Sequence, residues 1–194
     1  MCTRSLFACL AVIALLSFAG APQALAQNVM ENPPITMPAS SWDTVKDQKP
    51  GDFVVHKDSF GNETRQEVHA IDETAKTITI DMPIAAANMI TRMTYDCTGP
   101  EPEEQEHPEG EEVKVETSEG DETITAGGTE YKCHYYQTKS TSSAGETNVK
   151  IWYSKDVPMV GFTGSKDHGG MVKTETQAGG QNFSSELVKC GRGG

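Results

Sequence analysis

Past residue 50 the chain alternates between apolar and polar positions. In KTITIDM, residues 76–82, Ile78, Ile80 and Met82 fall on one side of an extended chain, and Thr77, Thr79 and Asp81 on the other. Successive strand side chains point to opposite faces, so this period of two predicts a strand with one face buried. Residues 87–97 repeat the pattern, with Met89, Thr91, Met93, Tyr95 and Cys97 on one face. The helix formers in AAANMITRM make a short helix over 84–93 the competing reading. DFVVHK follows the turn Pro50-Gly51, and ETRQEVHAID (63–72) follows Phe60-Gly61-Asn62. EVKVETS (112–118), ETIT (122–125), EYKCHYYQTKS (130–140), TNVKIWYS (147–154), GMVKTETQ (170–177) and NFSSELVKC (182–190) read as further strands. Ala126-Gly127-Gly128-Thr129 makes a hairpin turn between two of them. No long amphipathic helix and no repeat at 20–50-residue spacing interrupts them. The expected class is all-β: a curved antiparallel meander sheet forming a half-barrel or barrel, with at most short helices.

The first residues have a different character. Arg4 is the only charge before Asn28, the apolar run SLFACLAVIALLSFAG follows it, and Ala24-Leu25-Ala26 closes the segment. A positive start, a short apolar middle and a small-x-small end form a secretory signal peptide, here residues 1–26. The run is shorter than the roughly 18–20 apolar residues that span a bilayer. Cys9 belongs to this removed segment, so the expected location is secreted, in a bacterial periplasm or outside the cell. Residues 27–50 hold four prolines and form a lead-in, with Trp42 as an anchor. Residues 51–194 then make a single β domain.

Charge sharpens the picture. The chain carries −12, and residues 96–122 hold twelve Asp or Glu against one Lys. Such a balance argues against nucleic acid and against electrostatic docking on anionic lipid. Residues 98–111 contain three prolines and no apolar side chain, which predicts a mobile acidic loop.

The order W…KPGDFVVHK, AGGTEYKCHYY, KIWYSKDVPMVGF, GGMVKTET and SSELVKCG resembles a loosely defined group of uncharacterised bacterial secreted β-proteins. That group has a Gly-Thr-aromatic-x-Cys strand and a Trp-x-Ser-x-x-Val-Pro corner. It is similar in outline to the half-barrels that carry lipoproteins across the periplasm. The resemblance covers about three-quarters of the chain beyond the signal and carries no catalytic signature. The acidic insertion at 98–111 and Cys190 depart from it. It implies that Cys133 sits alone in its strand beside Tyr131 and Tyr135, which leaves Cys97 and Cys190 as the favoured disulfide. All three pairings of Cys97, Cys133 and Cys190 remain open from the residues themselves.

Candidate chemistry is sparse. His134 adjoins Cys133, but neighbours on a strand point apart, so the pair makes no nucleophile and base. No Gly-x-Ser-x-Gly elbow and no phosphate-binding glycine loop occurs. Met159, His168 and Met171 lie close enough in sequence for a soft copper site. The acidic loop lacks the shaped spacing of a calcium loop. Met82, Met89, Met93, Tyr95, Tyr131, Tyr135 and Trp152 are placed to line a concave apolar surface. The leading expectation is a non-enzymatic protein, with no cofactor, that binds a lipid or other apolar small molecule, or an envelope protein. The alternative expectation is a calcium- or copper-handling surface protein.

Overall fold

The computed structural model describes residues 28–84, 87–102, 114–142 and 145–193. The strands are β1 (Asn28–Glu31), β2 (Ile35–Pro38), β3 (Phe53–Asp58), β4 (Glu63–Asp72), β5 (Thr77–Ile84) and β6 (Met89–Gly99). They continue with β7 (Lys114–Ala126), β8 (Thr129–Ser142), β9 (Gly145–Ser154), β10 (Gly164–Ser165), β11 (Gly169–Ala178) and β12 (Gln181–Gly191). A 3-10 turn (Ala39–Ser41) leads into a short helix, α1 (Trp42–Val45). All the strands belong to one sheet, ordered β1-β6-β5-β4-β3-β12-β11-β9-β8-β7, with β2 beside β6 and β10 beside β11. The all-β expectation therefore holds, as an open curved sheet and not a closed barrel.

The sheet is two antiparallel meanders joined where β3 pairs with β12. The predicted faces are correct. Ile78, Ile80 and Met82 stand opposite Tyr95, Met93 and Thr91 across β5 and β6. The helix reading over 84–93 is overturned: β5 runs on to Ile84, which pairs with Met89. The two strands expected at 112–118 and 122–125 are one strand, β7. Gly120 stays extended because Tyr135 of β8 pairs with it, and a partner strand overrides a local turn signal. The lead-in is extended but not free: β1 and β2 lie parallel on β6. Most of the acidic segment 98–111 lies outside the described residues. At its start, Thr98 and Gly99 end β6, and the Glu101 carboxylate accepts from the Ser40 amide and hydroxyl, each at 2.7 Å.

Besides a register shift between Thr36 and Pro38 where β2 meets β6, three bulges in antiparallel pairs curl the sheet. One residue is inserted between Val68 and Ala70 in β4, one between Met171 and Lys173 in β11, and one between Leu187 and Lys189 in β12. A bulge bends its strand and increases the local twist. The curl is strong enough that the β7–β8 turn reaches β12, passing over β11 and β9. Gly127 makes this approach possible. Its φ is +54°, and a Cβ there would come within 2.5 Å of the Val188 carbonyl oxygen.

The concave face is filled by the chain itself. After β9 the stretch 155–163 turns inward, burying Val157 and Val160 and setting Phe162 edge-on to Tyr95 at 5.1 Å. Val45 of α1, Val54, Val68, Ile78, Ile80, Val172 and Leu187 complete that core. One side chain holds the inserted loop. Gln48 is buried, donates Nε2–H to the Gly161 carbonyl at 2.6 Å, and accepts from the Gly161 amide at 2.8 Å. Its amide group copies a β-bridge at a backbone position, φ +60°, that has no neighbouring strand. His56 is buried beside this core and bonds the Met171 carbonyl through Nε2 at 3.0 Å. Burial holds its pKa below the ordinary imidazole value.

The clamp generates a test. Gln48→Ala leaves two backbone groups of Gly161 buried without partners. The expected loss of unfolding free energy is about 2–4 kcal/mol, since an orphaned buried polar group costs roughly 1–3 kcal/mol. Urea titration measures it, and a loss below about 0.5 kcal/mol, the range of neutral surface changes, contradicts the role given to Gln48.

Candidate functional site

Hairpin connectivity gives the sheet two unlike ends. At the lower end lie α1, the inserted loop, the β4–β5 and β7–β8 turns and the C-terminal residues. At the upper end lie the connections β3–β4, β5–β6, β8–β9 and β11–β12. The lower end is packed as described above and carries a polar groove of about 430 Å³ beside α1. The upper end contains a cleft.

The cleft exists because two neighbouring strands part. The β4–β5 ladder runs only as far as Glu67 opposite Asp81. Above that level β4 keeps β3 as its partner and β5 keeps β6. Pro83 sits in the parted stretch of β5, and a proline has no N–H to offer a ladder. The Arg92 guanidinium fixes the last paired level, donating Nε–H to Asp81 Oδ1 at 2.7 Å and Nη2–H to Oδ2 at 2.9 Å. Two parallel bonds of this kind are the strongest geometry an ion pair offers.

The cleft holds about 820 Å³. Val55, Met82, Pro83 and Ile84 make its apolar walls, with Thr91 beside them and Asn62–Arg65 along the rim. Ile84 is 44 % exposed, so its side chain meets whatever enters. The Arg65 guanidinium lies 3.8 Å over the Phe53 ring and pairs with Glu67 at 2.6 Å. The volume lies within the range of sites for small ligands, roughly 300–1,000 Å³.

Among the residues expected to line a concave apolar surface, Met82 alone lines this cleft. Met89, Met93 and Tyr95 share its face along β6. Tyr95, however, is held by Phe162 and by a weak bond from its hydroxyl to Met93 Sδ at 3.8 Å. Tyr131, Tyr135 and Trp152 lie on β8 and β9, in the other meander. Tyr135 and Trp152 are covered by the chain's own charged groups. Lys150 Nζ sits 3.9 Å over the Tyr135 ring and 4.6 Å over Trp152. Glu122 accepts from both Lys150 Nζ, at 2.8 Å, and the Trp152 indole N–H. These two bonds, led by Lys150, hold the Glu122 carboxyl below the usual carboxylate range. The second aromatic group is thus a packed cluster around a cation and a carboxylate.

Of the copper candidates, Met159 and His168 precede β11, and Met171 lies on it. His168 stacks on His134, with ring centroids 3.9 Å apart. Met159 packs on Gly164, and Met171 stands opposite Tyr153 between β11 and β9. Among the described residues, no group of three or more His, Cys, Asp or Glu is arranged to hold a metal ion. The expected Cys97–Cys190 disulfide is absent, and Cys97, Cys133 and Cys190 are free thiols. The reason is topological. Cys97 lies on β6 and Cys190 on β12, with β5, β4 and β3 between them in the sheet. Cys133 is buried as expected. Burial, then Glu122 and Asp156, push its thiol up to about 11, so it stays protonated at neutral pH.

The reading from sequence missed Val55, Pro83, Ile84 and Arg65. The signal for Ile84 was present, since it extends the alternation Ile78, Ile80, Met82 by one step. A second cluster was also missed. His134, Tyr136, Tyr153 and His168 form a ring group on the outer face of β8 and β9, where Asp121 holds His134 Nδ1 at 2.8 Å. It borders a smaller groove of about 560 Å³.

Comparison with protein-family profiles, with curated proteins and with solved structures returns no match.

The thiol assignment is open to direct measurement. Peptide mapping of the unreduced chain, alkylated in denaturant, is expected to find Cys97, Cys133 and Cys190 all modified. In native buffer Cys97 and Cys133 are expected to resist the same reagent. A Cys97–Cys190 cross-linked peptide contradicts the strand placement.

Proposed function

We propose that the protein is an exported, non-catalytic binding protein that holds an apolar ligand, of the size of a lipid acyl chain, in the cleft between β4 and β5. The observation that carries this reading is the parting of two strands above Glu67 and Asp81. It places apolar walls from Met82, Pro83 and Ile84 where a continuous ladder would otherwise leave no room. Much of the remaining concave face is taken up by 155–163 and the Lys150–Trp152–Glu122 cluster. Methionine suits a lining that accepts chains of varied shape. The rim gives a polar end to an apolar groove, as a lipid with a polar head requires. The signal-like segment 1–26 supports export, where lipid and lipid-modified ligands are at hand.

Native mass spectrometry of gently purified protein tests the reading. The expected result is an adduct of lipid mass. Ile84→Asp, at an exposed position away from the core, is expected to cut the bound fraction about tenfold, corresponding to about 1.4 kcal/mol. An adduct retained undiminished by Ile84→Asp, or failure of the wild-type chain to bind a fluorescent fatty-acid probe, contradicts it.

A further inference from the structure

The two borders of the sheet are finished differently. Beyond β6 lie β1 and β2, four residues each, separated by Pro33-Pro34 and shifted in register before Pro38. Short strands broken by proline are one way a protein blunts an edge. The opposite border is β7, thirteen residues long and paired only with β8. Its ladder runs from Lys114 opposite Thr141 to Ala126 opposite Thr129 without a register shift, and the strand contains no proline.

The turn decides which backbone groups of β7 stay open. Gly127 and Gly128 have φ of +54° and +79°, the signature of a two-residue type I′ hairpin. Such a turn closes on a hydrogen-bonded pair, here Ala126 and Thr129. Pairs alternate along an antiparallel ladder, so Ile124, Glu122, Gly120, Ser118 and Glu116 also bond β8. Val115, Thr117, Glu119, Asp121, Thr123 and Thr125 then aim their N–H and C=O groups away from it. Among the described residues, no other backbone group bonds these six. All six are exposed.

The side chains say what kind of chain fits. The same six residues share the outer face, and Glu119 and Asp121 are the charged ones among them. Their side chains are 66 % and 88 % exposed. On β8 they face Tyr136 and His134, while Lys132 stands opposite Thr123. A second copy of this chain fits badly. A two-fold pairing centred on Gly120 sets Glu119 against Asp121 of the other copy, twice over. Like charges directly opposed destabilise a strand pair, and opposite charges stabilise it. The complementary strand is therefore a basic one.

We propose that β7 receives an extended basic peptide as an added antiparallel strand, with two cationic side chains, two positions apart, opposite Glu119 and Asp121. The main-chain ladder supplies affinity, and the alternate side chains supply the choice of partner. This surface goes beyond the apolar-ligand reading and uses none of its residues, since the cleft lies between β4 and β5 in the other meander.

A ten-residue fluorescein-labelled peptide of alternating threonine and lysine tests this, titrated onto the full chain by fluorescence anisotropy. At saturation the amides of Thr117, Glu119, Asp121 and Thr123 are expected to exchange with solvent about tenfold more slowly or better, while those of Ser118 and Glu122, already bonded to β8, change less. N-methylation of the peptide's lysine amides, which face β7 in this register, is expected to abolish binding; N-methylation of its threonine amides is expected to leave it. Glu119→Lys, at an exposed position, is expected to weaken binding about fivefold and to improve binding of the matching threonine–glutamate peptide. Equal binding of both N-methylated forms overturns the proposal, as does binding that leaves the four β7 amides unprotected. No binding at about 1 mM peptide, the weak limit of a specific contact, also overturns it. Slowing of the same amides without peptide, as protein concentration rises, overturns it too and assigns the edge to a second copy of the chain.

Discussion

One amide side chain fixes what the concave face of this sheet contains. Gln48 meets Gly161 with a donor and an acceptor, both near 2.7 Å, and so anchors a loop that has no strand beside it. A loop carrying buried backbone groups is unstable without such partners. With it held, Val157, Val160 and Phe162 become core residues, and a face that would otherwise hold a ligand is filled. The architecture looks like an open container in outline but is packed for most of its length.

The room that remains is set by strand pairing. β4 and β5 stay together up to the level at which Arg92 grips Asp81, and then part. Pro83 keeps the gap open, because one of its edges has no hydrogen to give. The bulges in β4, β11 and β12 supply the curl that wraps the lower end onto itself, and Gly127 allows the β7–β8 turn to close on β12. The upper end has no such closure. The same strands thus make a packed base and an apolar opening.

Much of this was legible from alternation alone. The faces of 76–82 and 89–97 followed from period two, as did the all-β class and most of the strands. Trp42 does pack on the core, as an anchor would. Pairing between distant segments was not legible. Nothing local in β3 and β12 says that the first strand after the lead-in and the last strand of the chain lie side by side, and the Cys97–Cys190 expectation failed on that ignorance. The stretch after Trp152 was read only as the Trp-x-Ser-x-x-Val-Pro corner of the resembling group. Its return into the core depends on Gln48, 113 positions away. The cleft was invisible for a similar reason. It is an absence of pairing between two good strands, and each strand's own sequence is consistent with full pairing. Ile84 was reachable, but the alanines after it favoured a helix.

Hydrogen exchange at single-residue resolution tests the central claim, that the inserted loop is part of the core. The amides of Val157, Gly161 and Gly170 donate to the Ser154 carbonyl, Gln48 Oε1 and the Val157 carbonyl. They are predicted to exchange only as slowly as the central strands do, through unfolding of the whole sheet. Exchange of Gly161 on the timescale of an open surface loop, with the strands still protected, would show that the concave face is not closed by its own chain.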